Sequence, residues 1–297
     1  MSRYRKLKLS PADQVFKGFA YATMILFALI IILPLINLVA ISLSGREAVV
    51  GGTVTFVPRD ITAYAYIRVL TSSVFYRALK NSVLITVGGT IVGLVFSISA
   101  GYPLSKPRFP FRKVGILLFV FAMLFDVGII PMYLVIRNLG LINTHWAIVF
   151  TGAINVFFML IIKNYFETLP DSLEESAKID GASYYTILVR IILPISKPVL
   201  ATVTLFYAVL YWNNYFQARL YLNSQRLMPI QVYLRSVIFE AMDPAGDFAL
   251  DAENVTRVDA QSVINATLTV CMLPIICLYP FLQRYFVKGV VLGSVKG

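Results

Sequence analysis

The chain has 297 residues, 58% hydrophobic and only 14% charged, with a mean hydropathy of +0.77. A soluble domain carries about 25% charged residues, so the composition excludes an ordinary soluble protein and describes a chain dissolved largely in lipid. The formal net charge of +11 does not indicate nucleic acid as a partner, because the cations are distributed as on the cytoplasmic face of a membrane protein.

Residues 1–17 carry Arg3, Arg5, Lys6, Lys8 and Lys17 and read as a cytoplasmic N-terminal segment. The apolar run that follows is too long for a signal peptide, whose apolar core has about 7–15 residues. A span needs about 20 mostly apolar residues. Stretches free of Asp, Glu, Lys and Arg cover 18–45, 81–105, 138–162, 198–218 and 260–283, and 114–136 is interrupted only by Asp126. The pattern predicts an all-α membrane protein with six transmembrane helices at about 18–43, 81–103, 114–136, 145–163, 198–218 and 262–283. These form one transmembrane domain over 18–285, followed by a cytoplasmic tail at 286–297.

Orientation follows the positive-inside rule. With the N-terminus inside, 16 of the 26 Lys and Arg residues fall on inside segments, and the tight loop from Lys106 to Lys113 is the clearest marker. Both termini are then cytoplasmic. The external loops are 44–80 and 220–259, and the latter holds Glu240, Asp243, Asp247, Asp251, Glu253 and Asp259. Such an acidic loop either docks an external partner or is simply solvated. His145 is the one histidine, which excludes a multi-histidine metal site within the chain. Cys271 and Cys277 share an apolar run at a spacing that fits neither zinc nor redox chemistry.

The cytoplasmic loop 165–197 is the most informative segment. Ser172 and Glu175 have capping-box spacing, so a short helix is expected from there. Leu173, Ala177 and Ile179 give it a small apolar surface, with Glu174, Glu175 and Lys178 facing water. Gly181 can end it in the left-handed conformation, Ser183 can cap a second helix over 184–193, and Pro194 and Pro198 stop that helix. A two-turn helix is poorly stabilised alone, so it is either a binding element or an ordinary surface loop.

Glu175-Ser176-Ala177, then Gly181 after three intervening residues, and Ile191-Ile192-Leu193-Pro194 after nine more resemble the EAA motif of ABC importer permeases, with Ser176 in place of the middle alanine. Gly128-Ile129-Ile130-Pro131, Leu139 to Thr144, Trp212-Asn213 and the tail Lys288 to Gly297 extend the resemblance along nearly the whole chain. The likeness is to the carbohydrate-uptake branch, maltose-type inner-membrane permeases and their complex-polysaccharide or aldouronate relatives. It implies an ABC importer type I permease fold in a bacterial inner membrane. It also implies a coupling helix that places Glu174, Glu175, Ala177, Asp180, Gly181 and Ala182 at an ATPase subunit. The expected assembly has a second homologous permease, two ATPase copies and an extracytoplasmic solute-binding protein.

No Gly-x-x-x-x-Gly-Lys-Ser/Thr phosphate loop occurs in the chain. The chain is therefore expected to be non-catalytic and to bind no cofactor, with ATP and Mg used by the partner ATPase. For a sugar pathway, Tyr211, Trp212, Asn213 and Asn214 offer aromatic faces and amides, and the same cluster also reads as an interfacial aromatic belt. Arg219 stands where the family has an aliphatic residue. It either holds a uronate carboxylate, as alginate or aldouronate fragments carry, or snorkels to the headgroups. Asp126 is a pathway candidate that also reads as a structural pairing residue. A proton- or ion-coupled carrier relayed through Asp126 is the competing reading. It calls for further intramembrane titratable groups and inverted repeats, and neither is evident.

Overall fold

The computed structural model describes residues 10–125, 127–242 and 260–293. Asp126 and the acidic residues Asp243, Asp247, Asp251, Glu253 and Asp259 fall outside the described residues. Among those described, all regular structure is helical. Three helical stretches, Pro11–Ser42, Ser73–Ser105 and Ala260–Cys277, are long and apolar enough to cross a membrane. Three bent pairs pass the same length-and-composition test: Arg112–Leu124 with Ile129–Asn138, His145–Thr151 with Val156–Glu167, and Tyr184–Ile195 with Lys197–Trp212. Among the described residues, length and composition thus allow three passages, or up to six if each bent pair is one span.

The chain divides into two compact units. The first comprises Met1–Thr71 and Ile238–Val270. Its helix α1 (Pro11–Ser42) opens with a complete capping box: the Asp13 amide donates to Ser10 Oγ at 3.2 Å and the Ser10 amide donates to Asp13 Oδ2 at 3.1 Å. Ile25, Phe27 and Ile31 on α1 are exposed, as a lipid-facing helix requires. Helices α2 (Arg46–Val50) and α3 (Tyr64–Thr71) follow. The Tyr66 hydroxyl meets Ser42 Oγ at 2.7 Å, tying α3 to the end of α1.

The second unit comprises Ser72–Val237 and Cys271–Gly297. Its axis is α4 (Ser73–Ser105), a 33-residue helix about 50 Å long at 1.5 Å per residue. Helices α5 (Arg112–Leu124), α7 (His145–Thr151) and α8 (Val156–Glu167) pack on α4, and α6 (Ile129–Asn138) lies between α5 and α7 in the chain. The chain continues through α9 (Ser172–Ile179), α10 (Tyr184–Ile187), α11 (Leu193–Ile195), α12 (Lys197–Trp212) and α13 (Phe216–Tyr221). Helix α14 (Ile230–Met242) starts in this unit, and α15 (Ala260–Gly293) ends in it.

Close packing on α4 has a sequence cause. Gly89, Gly93, Ser97 and Gly101 recur every four residues and form a stripe of small residues on one face. Tyr207 and Tyr211 of α12 lie flat in this stripe. A Cβ added at Gly93 would stand 2.6 Å from Tyr207 Cε1, and one at Gly89 would stand 2.5 Å from Tyr211 Cζ. The same two hydroxyls repair the break between α7 and α8. Tyr211 donates to the Val149 carbonyl at 2.9 Å, and Tyr207 accepts from the Asn155 amide at 3.0 Å while sharing a 2.7 Å bond with Ser97 Oγ. Both backbone groups would otherwise be orphaned where the helix stops, a cost of several kcal/mol in an apolar medium.

One local expectation is corrected. The second helix does not stop at Pro194. The chain passes through a π turn at Leu188–Ile192, where the Leu193 amide reaches the Leu188 carbonyl, and continues through α11 to Ile195. The wider turn accommodates a proline, which has no N–H and would crowd the Arg190 carbonyl in a regular helix. Further on, α12 ends at Trp212 and helix resumes only at Phe216.

Candidate functional site

The segment from Leu169 to Ser183 forms the short helix expected for it, by a different start. Ser172 is already the first helical residue, and no side chain caps the helix. Asp171 sits at φ −61°, ψ −28°, so the chain is in helical conformation before Ser172. The first amides bond backbone carbonyls instead: Glu174 and Glu175 both reach Asp171 O at 3.0 Å. The Ser172/Glu175 capping box is therefore not formed. The C-terminal end is as expected, since Gly181 takes φ +79°. The Ala182 amide bonds the Ala177 carbonyl at 2.9 Å and the Gly181 amide bonds the Lys178 carbonyl at 3.0 Å. This is the paired closure of a Schellman motif. Ser183 Oγ accepts from the Thr186 amide at 3.2 Å and starts α10.

The faces of α9 differ from the sequence reading. Glu174 is buried, at 6% exposure, whereas Ile179 is 87% exposed. Ala177 is buried beside Glu174, and Ala182 packs against the same core cluster as Ile187 and Phe166. The Glu174 carboxylate pairs with Lys106, which enters from the loop after α4, and accepts from the Tyr102 hydroxyl at 3.3 Å. Lys106 Nζ also lies 5.2 Å over the Tyr102 ring. A second junction lies nearby: Glu167 at the end of α8 pairs with Lys163 at 2.8 Å and with Arg112, whose Nε donates to the Leu104 carbonyl at 2.8 Å. The basic loop 106–112, the end of α8 and α9 are therefore fastened into one plate. Its outer face presents Glu175, Ile179, Asp180, Gly181, Tyr184 and Tyr185, all exposed.

The six expected coupling residues thus separate into Glu174 and Ala177, turned inward, Ala182 at the edge, and Glu175, Asp180 and Gly181 outward. Sequence reasoning missed Lys106, whose partner is 68 positions away, and the exposed aromatic pair Tyr184 and Tyr185.

The pathway candidates also divide. Tyr211 and Trp212 are buried, and Tyr211 is committed to Gly89 and Val149 as described above. Asn214 is committed as well, since its Oδ1 accepts from the Ala218 amide at 3.2 Å and its Nδ2 donates to Gln217 Oε1 at 2.7 Å. Asn213 is exposed and accepts from Gln231 Nε2 at 3.3 Å. Arg219 is exposed on α13. The guanidinium that meets an aromatic ring here is that of Arg235, 4.0 Å above Tyr215.

The chain segment 222–230 is firmly held. Asn143 Oδ1 accepts from the Asn223 and Ser224 amides, and Asn81 Nδ2 donates to the carbonyls of Arg226 at 2.9 Å and Met228 at 3.1 Å. Ser82 Oγ accepts from the Ile230 amide at 2.7 Å, and His145 Nε2 meets the Leu227 carbonyl at 3.0 Å. The one histidine is thus a structural clamp. Among the described residues no group of three His, Cys, Asp or Glu is placed to hold a metal ion.

A helical membrane domain with an exposed short helix carrying the EAA-like motif defines a permease component of a membrane transport system. The match to the binding-protein-dependent transport system inner membrane component family runs over residues 89–292. The chain belongs to this family. It is 40% identical over 285 residues to the polygalacturonan/rhamnogalacturonan transport system permease protein YtcP of Bacillus subtilis (strain 168), covering 96% of this chain and 99% of that protein. It is 42% identical over 270 residues to protein LplC of the same organism, covering 90% of each. Among solved structures it is similar to a bacterial ABC transporter involved in the import of the acidic polysaccharide alginate. That similarity has a TM-score of 0.87 and 35% identity, covering 94% of this chain and 99% of that one. A second alginate ABC transporter chain, at 15% identity and a TM-score of 0.59, shares the fold.

Proposed function

We propose that this chain is the translocating permease subunit of an ABC importer for uronate-containing oligosaccharides and is driven through α9 by a separate ATPase. The observation that carries the coupling role is the division of α9 into a fastened inner face, Glu174 and Ala177, and an exposed outer face running from Glu175 through Ile179 to Gly181. A helix anchored on one side by a buried ion pair transmits displacement as a rigid element, and the free side is available to the partner. The substrate class is supported by relatives named for polygalacturonan/rhamnogalacturonan transport and for alginate import, because each polymer is rich in uronic acids.

In this reading both termini and α9 are cytoplasmic, and loops 44–80 and 220–259 face the solute-binding protein. A second homologous permease completes the pathway and two ATPase copies use ATP and Mg. The chain itself catalyses no reaction and binds no nucleic acid. Closure of the ATPase pair moves the plate at loop 106–112 and α9, and the spans exchange inward- and outward-facing states.

The test is uptake of labelled tetragalacturonate into proteoliposomes holding the complete importer and its binding protein. ATP-dependent uptake that is lost when α9 is replaced by a Gly/Ser linker is expected. Uptake that persists after that replacement would overturn the coupling role, and an importer carrying only neutral oligosaccharides would overturn the substrate class.

A further inference from the structure

We infer that Arg235, poised over Tyr215 beside Asn213 and Gln231, forms a subsite for one uronate residue of the passing oligosaccharide. This inference rests on the substrate class proposed above. Four observations meet at the interruption between α12 and α13. The backbone leaves the helical path at residues 213–215, and non-helical backbone within a membrane domain is tolerated where it lines a cavity or meets protein. Asn213 at this interruption is exposed, and its bond to Gln231 uses only the Asn213 oxygen and the Gln231 nitrogen. Among the described residues the Asn213 amide donors and the Gln231 amide acceptor remain for sugar hydroxyls.

The third observation is the cation. Arg235 is exposed on the apolar stretch Ile230–Phe239, and among the described side chains no carboxylate lies within ion-pair distance of it. Its one contact there is the Tyr215 ring at 4.0 Å. A cation–π contact orders the guanidinium without consuming any of its five N–H donors. The fork thus stays open for bidentate recognition of a carboxylate.

The fourth observation is rigidity. Asn81 and Ser82 of α4 grip the chain from Arg226 to Ile230, five residues before Arg235. The guanidinium is therefore presented from a fixed support, whereas among the described residues no aromatic ring lies under the Arg219 guanidinium.

The test uses the complete importer in proteoliposomes with tetragalacturonate, comparing wild type, Arg235→Gln and Arg235→Lys. The readouts are the uptake rate, the binding-protein-stimulated ATPase and the thermal midpoint of the complex. Arg235→Gln is expected to lower uptake about tenfold, the scale of one hydrogen-bonded charge, with the ATPase and the midpoint unchanged. Arg235→Lys is expected to keep at least about a third of the wild-type rate. Uptake by Arg235→Gln within twofold of wild type overturns the subsite. A fall matched by a lower midpoint also overturns it, marking Arg235 as structural, and a lysine variant as poor as glutamine overturns the charge argument. A wild-type importer that carries neutral oligosaccharides but no tetragalacturonate overturns the acidic substrate class, and the subsite with it.

Discussion

Glu174 and Lys106 form an ion pair in which the carboxylate is almost wholly withdrawn from water while the ammonium keeps partial access. The pair joins α9 to the end of α4, the helix on which the second unit is assembled. Removing one member of a buried pair leaves an uncompensated charge, which typically costs about 3–5 kcal/mol. Glu174→Ala is expected at the low end, about 3 kcal/mol, because Lys106 can turn towards solvent. The thermal midpoint of the purified complex reads this directly. The double variant Glu174→Leu with Lys106→Met is expected to recover most of the stability, since apolar replacement of both partners is often neutral. A Glu174→Ala midpoint equal to wild type would show that the pair does not hold α9.

Gly181 offers a cleaner perturbation. Nothing lies within 4 Å of a Cβ added there, yet φ is +79°. Gly181→Ala is therefore expected to cost about 1–2 kcal/mol through backbone conformation alone, fraying the Ala177–Ala182 closure. Gly181→Asn should be milder, because asparagine tolerates the left-handed region. The measurement is transported substrate per ATP hydrolysed, expected to fall in the order Gly, Asn, Ala. Equal ratios for all three would contradict it.

Gly93 tests the packing of α4 on α12. A Cβ there would meet the Tyr207 ring at 2.6 Å, and overpacking of this kind costs about 1–3 kcal/mol. Gly93→Ala is expected to lower the thermal midpoint. Tyr207→Phe keeps the ring but strands Ser97 and the Asn155 amide, and is expected to cost about 1–3 kcal/mol. Thermal unfolding of the complex in detergent checks both. An unchanged midpoint for Tyr207→Phe would show that the break between α7 and α8 is satisfied another way.

Legibility in the sequence followed the range of the interactions. Apolar runs between charges located the long helices because lipid burial is a composition effect averaged over about 20 residues. The turn at Gly181 was legible because one residue type is strongly favoured there. The inward turn of Glu174 was not, because its cause is Lys106, brought close only by tertiary folding. Ile179 was assigned to one apolar surface with Leu173 and Ala177, but α9 turns Glu174 and Ala177 inward together and leaves Ile179 exposed. At the pathway, Tyr211 and Asn214 looked like ligands by residue type, yet the breaks in α7–α8 and α12–α13 consume their polar groups. Arg235 was passed over because it lies within an expected external loop, and only the clamp on 222–230 shows it to be fixed.

The exposed side of α9 bears the central claim. Ile179→Cys changes a largely exposed residue and is expected to shift stability by less than about 0.5 kcal/mol. In membranes containing the full importer, a short bifunctional thiol reagent should join this cysteine to one placed in the ATPase subunit, and ATP should change the yield. Crosslinking only to lipid-exposed or binding-protein cysteines, with none to the ATPase in any nucleotide state, would contradict the account.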